Sequence, residues 1–194
     1  MAYNHLKGIC YAKEDDGLCF IPIPKNSSTT VRTVLSGFKT LNFIEKPSIL
    51  TTYTTFCVLR EPIGRFCSAY IEILKRREKV TRDKNFMKVG NEKEQFYSFI
   101  EEVYTDGFFD CHIEPQLFYI TDLNNNVVAD KIYKIENTNQ MLKELFSLSE
   151  TRHANSTRSG RKEKIKSFLD ENKKYYNRVL EMYQDDIKFF KELK

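Results

Sequence analysis

The chain has 194 residues, with 31 Lys and Arg against 27 Asp and Glu for a formal charge of +4, and 41% of its residues are hydrophobic. That length supports one sizeable core and no Pro/Gly/Ser-rich linker divides it, so we expect residues 1–194 to form a single domain. The charge is too mild to indicate nucleic acid. No apolar run approaches the ~20 residues of a membrane span, and MAYNHLKGICYAKEDDG lacks a basic segment followed by an apolar stretch, so we expect no stable membrane insertion and a cytoplasmic location.

Cys10 opens the series of five cysteines, which continues with Cys19, Cys57, Cys67 and Cys111. Their number is odd, no CxxC spacing occurs, and most lie within apolar runs, which predicts buried, reduced thiols. LCFIPI, from Leu18 to Ile23, is a nearly continuous apolar run that predicts a buried strand, followed by turn residues and a helix. TTFCVLREP repeats the arrangement: a strand to Leu59, then Arg60, Glu61 and Pro62, then a helix on which Ile63, Phe66, Cys67, Tyr70, Ile71 and Leu74 form one apolar stripe. Pro62 suits the first helical turn, where its missing N–H is not needed.

A largely helical insertion is expected from about Lys75 to Asp110, with Phe96, Phe99, Ile100 and Val103 at helical spacing. Ile132, Tyr133 and Ile135 predict a further strand. Asn137 or Thr138 would cap the next helix, whose stripe is Met141, Leu142, Leu145 and Phe146. From about Ile165 the pattern predicts one long closing helix with Tyr176, Val179, Leu180, Tyr183, Ile187 and Phe190 turned inward. Strands alternating with helices imply an α/β fold with a central, mostly parallel sheet flanked by helices. In such sheets ligands bind beyond the carboxyl ends of the strands, which directs attention to the loops after Ile23, Leu59 and Ile135.

The first of these loops, Pro24-Lys25-Asn26-Ser27-Ser28-Thr29-Thr30, offers backbone amides, hydroxyls and a helix start to an anion, and Lys25 adds a full charge. Equally, Ser27 and Ser28 could simply cap the helix beside a solvated Lys25. In the second loop Arg60 ends the strand. Taking Ile63 as zero and about 100° per residue, Ser68 falls near ~140° and Arg65 near ~200°, both away from the apolar stripe. An Arg fork with a hydroxyl suits a phosphate, although Arg60 and Glu61 could be an ordinary surface pair. The sequence lacks GxxxxGK[ST], and its lysine stands at the entrance of the loop instead of its end, which disfavours a nucleotide kinase or NTPase.

Together, PKxxxTT after the first strand and the later LREPxxRFxSAY resemble the sulfotransferases, in particular the group of the Golgi carbohydrate sulfotransferases and their bacterial relatives. The resemblance implies a P-loop-NTPase-like three-layer fold and 3′-phosphoadenosine 5′-phosphosulfate (PAPS) as co-substrate, leaving 3′-phosphoadenosine 5′-phosphate (PAP), with no metal required. It assigns the 5′-phosphosulfate to Pro24, Lys25, Asn26, Ser27, Ser28, Thr29 and Thr30, with Lys25 at the oxygen that bridges phosphate and sulfate. Arg60 and Ser68 match the ligands of the 3′-phosphate. Many relatives carry glycine where this chain has Ser27 and Ser28.

Further segments, CHIEPQLFYI, ADKIYKIENTNQMLKEL and RHANSTRSGRK, follow in family-like order. In relatives the last of these folds over the nucleotide, which makes Arg158 and Ser159 its candidate contacts. The His-x-x-Pro-Gln segment implies His112 as general base toward an acceptor hydroxyl of a carbohydrate or glycoconjugate; Glu114 or Glu72 is the alternative. His5 and His153, the other histidines, lie near the terminus and in a polar loop. The basic stretch KRREKVTRDKNFMK is either a lining for an acidic acceptor or a solvated helix end. A kinase-like protein and a non-catalytic polyanion-binding relative are the competing expectations.

Overall fold

The computed structural model describes residues 7–34, 37–81, 91–148 and 159–193. By contacts the chain divides into two compact units, Met1–Arg60 with Pro115–Asn155, and Glu61–Glu114 with Ser156–Lys194. The first is built on a mixed sheet of five strands, β1 (Ile9–Lys13), β2 (Leu18–Ile21), β3 (Lys39–Asn42), β4 (Thr54–Leu59) and β5 (Lys131–Lys134), in the order β3-β1-β2-β4-β5. Three of its helices are α1 (Ser28–Val34), α2 (Ile49–Thr52) and α6 (Thr138–Phe146); α5 (Gln116–Ile120) follows Pro115.

The α/β architecture expected from the alternating pattern is present, with the parallel pairing concentrated where the candidate loops emerge. β2 runs parallel to β4, with Phe20 opposite Phe56, and β4 runs parallel to β5, with Cys57 opposite Ile132. β1 pairs antiparallel with both β2 and β3. Side chains alternate along the parallel strands. Leu18, Phe20, Phe56 and Val58 pack with Val31 of α1 and with Met141 and Leu142 of α6, while Cys19, Ile21, Cys57 and Leu59 project from the opposite face and are buried as well. Burial on both faces is the reason these strands read as continuous apolar runs. β2 stops at Ile21, before the expected Ile23, because Pro22 has no N–H to add to a ladder.

The second unit is helical: α3 (Pro62–Thr81), α4 (Glu92–Asp106), α7 (Ser159–Glu171), α8 (Lys173–Met182) and α9 (Gln184–Glu192). The six stripe residues of α3 are buried in one cluster with Phe96, Phe99, Ile100 and Val103 of α4. Phe66 lies 5.6 Å from Phe99 and 5.8 Å from Tyr183, centroid to centroid. The expected insertion is the end of α3 followed by α4, which opens with a capping box between Asn91 and Glu94.

The expected single closing helix is instead three. Asn172 interrupts it by accepting from the Lys174 N–H as the N-cap of α8, and Tyr183 separates α8 from α9. Arg65 and Ser68, which lie off the apolar stripe of α3, are each only 1% exposed. A helix enclosed by α4, α7 and α9 has no solvent face at this level.

Candidate functional site

The first loop turns sharply after β2. The Ile23 carbonyl accepts from the Asn26 N–H at 3.2 Å, closing a four-residue turn with Pro24 and Lys25 at its centre. Lys25 has φ 71°. Proline second and a positive φ third identify a type II turn, in which the lysine occupies the place usually taken by glycine. Ser27 also has a left-handed φ, 58°. Both positions therefore hold a conformation that favours glycine with a side chain present, at about 1–2 kcal/mol of local strain per residue.

The Ser28 hydroxyl donates back to the Ile23 carbonyl at 2.5 Å, and the Ser27 carbonyl accepts from Val31 N–H as α1 begins. Pro24, Lys25, Ser27 and Ser28 are half-buried and Thr29 is exposed, whereas Asn26 and Thr30 are buried.

The loop is joined to the strand end that carries Arg60. Arg60 Nη1 donates to the Lys25 carbonyl at 3.2 Å. Beneath it, Asn26 Nδ2 donates to the Val58 carbonyl at 3.0 Å and to Gln116 Oε1 at 2.5 Å. Gln116 Oε1 also accepts from the Arg60 N–H at 2.9 Å, and its Nε2 donates to the Arg60 carbonyl at 2.9 Å. One buried amide thus grips both backbone groups of Arg60 and the side chain of Asn26. Sequence reasoning quoted Gln116 within His-x-x-Pro-Gln but gave it no role. The available signal was a polar residue directly after a proline at the head of the apolar QLFYI.

In the second unit, Glu61 is engaged as a cap: its carboxylate accepts from the N–H groups of Ile63, at 2.9 Å, and Gly64, at 2.7 Å. Arg65 Nη1 donates to the Glu114 carbonyl at 2.6 Å. The Ser68 hydroxyl is buried and finds no hydrogen-bond partner among the described residues.

His112, 9% exposed, lies on the loop between α4 and α5. The loop is pinned by the Arg65 bond to Glu114 and by a short bond from the Tyr183 hydroxyl to the Ile113 carbonyl. His112 Nδ1 is 2.7 Å from Asp110 Oδ1, and Nε2 is 3.1 Å from Arg76 Nη2. Burial pushes the Asp110 carboxyl up, but the bonds from the His112 side chain and backbone outweigh it, so Asp110 titrates below its ordinary value. Burial also pushes the Cys111 thiol up to about 11, and raises the Glu114 carboxyl against the opposing charge of Arg65.

The donor atoms of Asp110, Cys111 and His112 lie within 4.8 Å of one another. A guanidinium on the same imidazole and a thiol that holds its proton make this a poor metal site. Arg158, His5 and His153 lie outside the described residues, and Ser159 is known only as the first residue of α7. Of the basic stretch, Arg76 reaches His112, and Arg77 pairs with Glu102 at 2.7 Å. All five cysteines are free thiols, four buried and Cys111 half-buried. Among the described residues no helix is long and apolar enough to cross a membrane.

The model of the Sulfotransferase family matches residues 11–191, and the chain belongs to that family. Comparison with curated proteins and with solved structures gave no match.

Proposed function

Starting from a member of the Sulfotransferase family, we propose that this chain transfers a sulfuryl group from PAPS to a hydroxyl of a carbohydrate or glycoconjugate, as one catalytic domain acting in the cytoplasm. The observation that carries the proposal is the left-handed Lys25 turn bound through its own carbonyl to the Arg60 guanidinium, which sets the charged residue of each anion-type segment beside the other. Bound PAPS supplies the activated sulfuryl group and a phosphate leaving group. Lys25 stabilises the charge that develops on the bridging oxygen, a role suited to a point charge on a flexible stem.

Around Lys25, the backbone of the 24–30 loop and the hydroxyls of Ser27, Thr29 and Thr30 hold the phosphosulfate oxygens, while Ser28, whose hydroxyl donates to the Ile23 carbonyl, contributes its backbone. Arg60 and Ser68 hold the 3′-phosphate, a reading supported by the unpartnered buried hydroxyl of Ser68. Arg158 and Ser159 close over the nucleotide. His112 takes the proton of the acceptor hydroxyl as the general base. The in-line geometry this chemistry requires needs no metal. Glu114, its carboxyl raised by burial, is the second reading for the base.

Lys25→Ala tests the assignment. We expect turnover with PAPS to fall at least a hundredfold while PAP still binds and the fold persists; a rate near that of the parent chain removes Lys25 from the mechanism.

A further inference from the structure

The reading of His112 as a base leaves open which of its nitrogens acts and what holds it ready. Two neighbours answer independently. Asp110 Oδ1 accepts from the His112 backbone N–H at 2.8 Å and lies 2.7 Å from Nδ1. An ionised carboxylate only accepts, so Nδ1 must carry the proton. On the other side Arg76 Nη2 lies 3.1 Å from Nε2. A guanidinium only donates, so Nε2 must present its lone pair. Both neighbours select the same neutral tautomer.

Resting on the reading of His112 as base, we propose that Asp110 is a positioning residue that fixes His112 as the Nδ1–H tautomer, with Nε2 as the proton-accepting atom and Arg76 as a removable cap on it. In the reaction the proton passes from the acceptor oxygen to Nε2 as the new oxygen–sulfur bond forms and the bond from sulfur to the bridging phosphate oxygen breaks. Asp110 stays ionised and faces the resulting imidazolium. Arg76 must leave Nε2 before the acceptor arrives. Its side chain is 52% exposed and its other contact, Nε to Glu72 at 3.4 Å, is loose, so it can swing away without unpacking α3.

The charged and titratable groups that bear on the ring are Arg76 from α3, with Glu72 behind it, and Asp110 and Cys111 from its own loop. Arg65 of α3 acts on neighbouring Cys111, and Tyr183 contributes a neutral hydroxyl to Ile113. Asp110 and Arg76 therefore pull the protonation of Nε2 in opposite directions, Asp110 favouring it and Arg76 opposing it. A purely structural loop contact has no such signature.

The test combines two readouts on the full chain. Nitrogen NMR of 15N-histidine-labelled protein, with His112→Gln identifying the signal, reads the tautomer directly and needs no activity. We expect protonated Nδ1 and unprotonated Nε2; protonated Nε2 overturns the proposal. The pH profiles with PAPS read its use, kcat for the bound complex and kcat/KM of the acceptor for the free enzyme, in which Arg76 still faces Nε2. Asp110→Asn should lower kcat at least tenfold and move the acid limb of both profiles to lower pH, Asp110→Glu should recover part of the loss, and Arg76→Gln should move the acid limb of kcat/KM to higher pH. Shifts of both variants in one direction overturn the proposal. The expected tautomer together with undiminished turnover in His112→Gln overturns the catalytic use of the pair and the reading of His112 as base, while leaving the tautomer assignment in place.

Discussion

Replacing Gln116 should weaken the fold and the donor cradle together. Gln116→Ala removes bonds to Asn26, to the Arg60 N–H and to the Arg60 carbonyl, of 2.5, 2.9 and 2.9 Å. Asn26 retains the Val58 carbonyl, and the Arg60 backbone loses its two bonds to Gln116 at once. Neutral bonds contribute about 0.5–1.5 kcal/mol each and partly buried orphans cost more, so the loss is about 2–4 kcal/mol, or roughly 4–16 °C in Tm for a chain of this size.

Gln116→Glu separates hydrogen bonding from shape. It preserves volume, yet it sets a second acceptor oxygen against the Arg60 carbonyl, so it should destabilise at least as much as Ala. Urea unfolding of both variants, followed by PAP titration, measures the two effects. Gln116→Glu within about 0.5 kcal/mol of the parent chain would refute the reasoning, since that is the range of an inert substitution.

Three further outcomes are expected. Ser27→Gly relieves a left-handed φ of 58°; the strain released, about 1–2 kcal/mol, exceeds the roughly 0.5–1 kcal/mol of entropy glycine loses, so denaturant unfolding should show equal or slightly higher stability. Lys25→Gly, at φ 71°, should likewise unfold at or above the parent temperature while losing sulfuryl transfer, a separation of stability from activity; a marked fall in Tm would contradict the strain argument. Glu92 titrates below its ordinary value: burial pushes its carboxyl up, but bonds and charges from Lys164 and Arg161 outweigh it. A depressed folded value means its stabilisation is present above the ordinary carboxylate range and lost as pH falls through the folded value. Glu92→Gln should therefore flatten the acid end of a stability–pH curve, and an unchanged curve would contradict the assignment.

Much of the frame was legible because burial on both faces writes itself as unbroken apolar runs. LCFI and TFCVL became β2 and β4, and the stripe from Ile63 to Leu74 became the buried side of α3. β1 and β3 were not foreseen: the half-buried and buried positions of ICYAK alternate but are not written as alternating polar and apolar residue types, and KTLN is a polar edge strand, so neither sequence carries a strong period. The continuous helix expected at the end failed at Asn172, where a local side-chain bond to Lys174 N–H prevailed over the apolar spacing.

In the site, the residue types of the first loop were readable but its conformation was not, because a left-handed lysine and serine have no sequence mark. Helical spacing placed Arg65 and Ser68 off the apolar stripe, yet angle alone does not say which faces of a helix meet solvent. Gln116 escaped notice because its partners, Asn26 and Arg60, are distant in sequence and meet it only through the sheet.

The central claim is that the two loops serve one ligand bearing both a 5′-phosphate group and a 3′-phosphate. Thermal unfolding with PAP, with AMP and with ATP tests it most directly, since the last two lack the 3′-phosphate. At about 100 times its dissociation constant a ligand adds roughly 2.7 kcal/mol to stability, several degrees in Tm for a chain of this length. The account predicts that shift for PAP alone, and its loss in Arg60→Ala. An equal shift with ATP, or none with PAP, would contradict it.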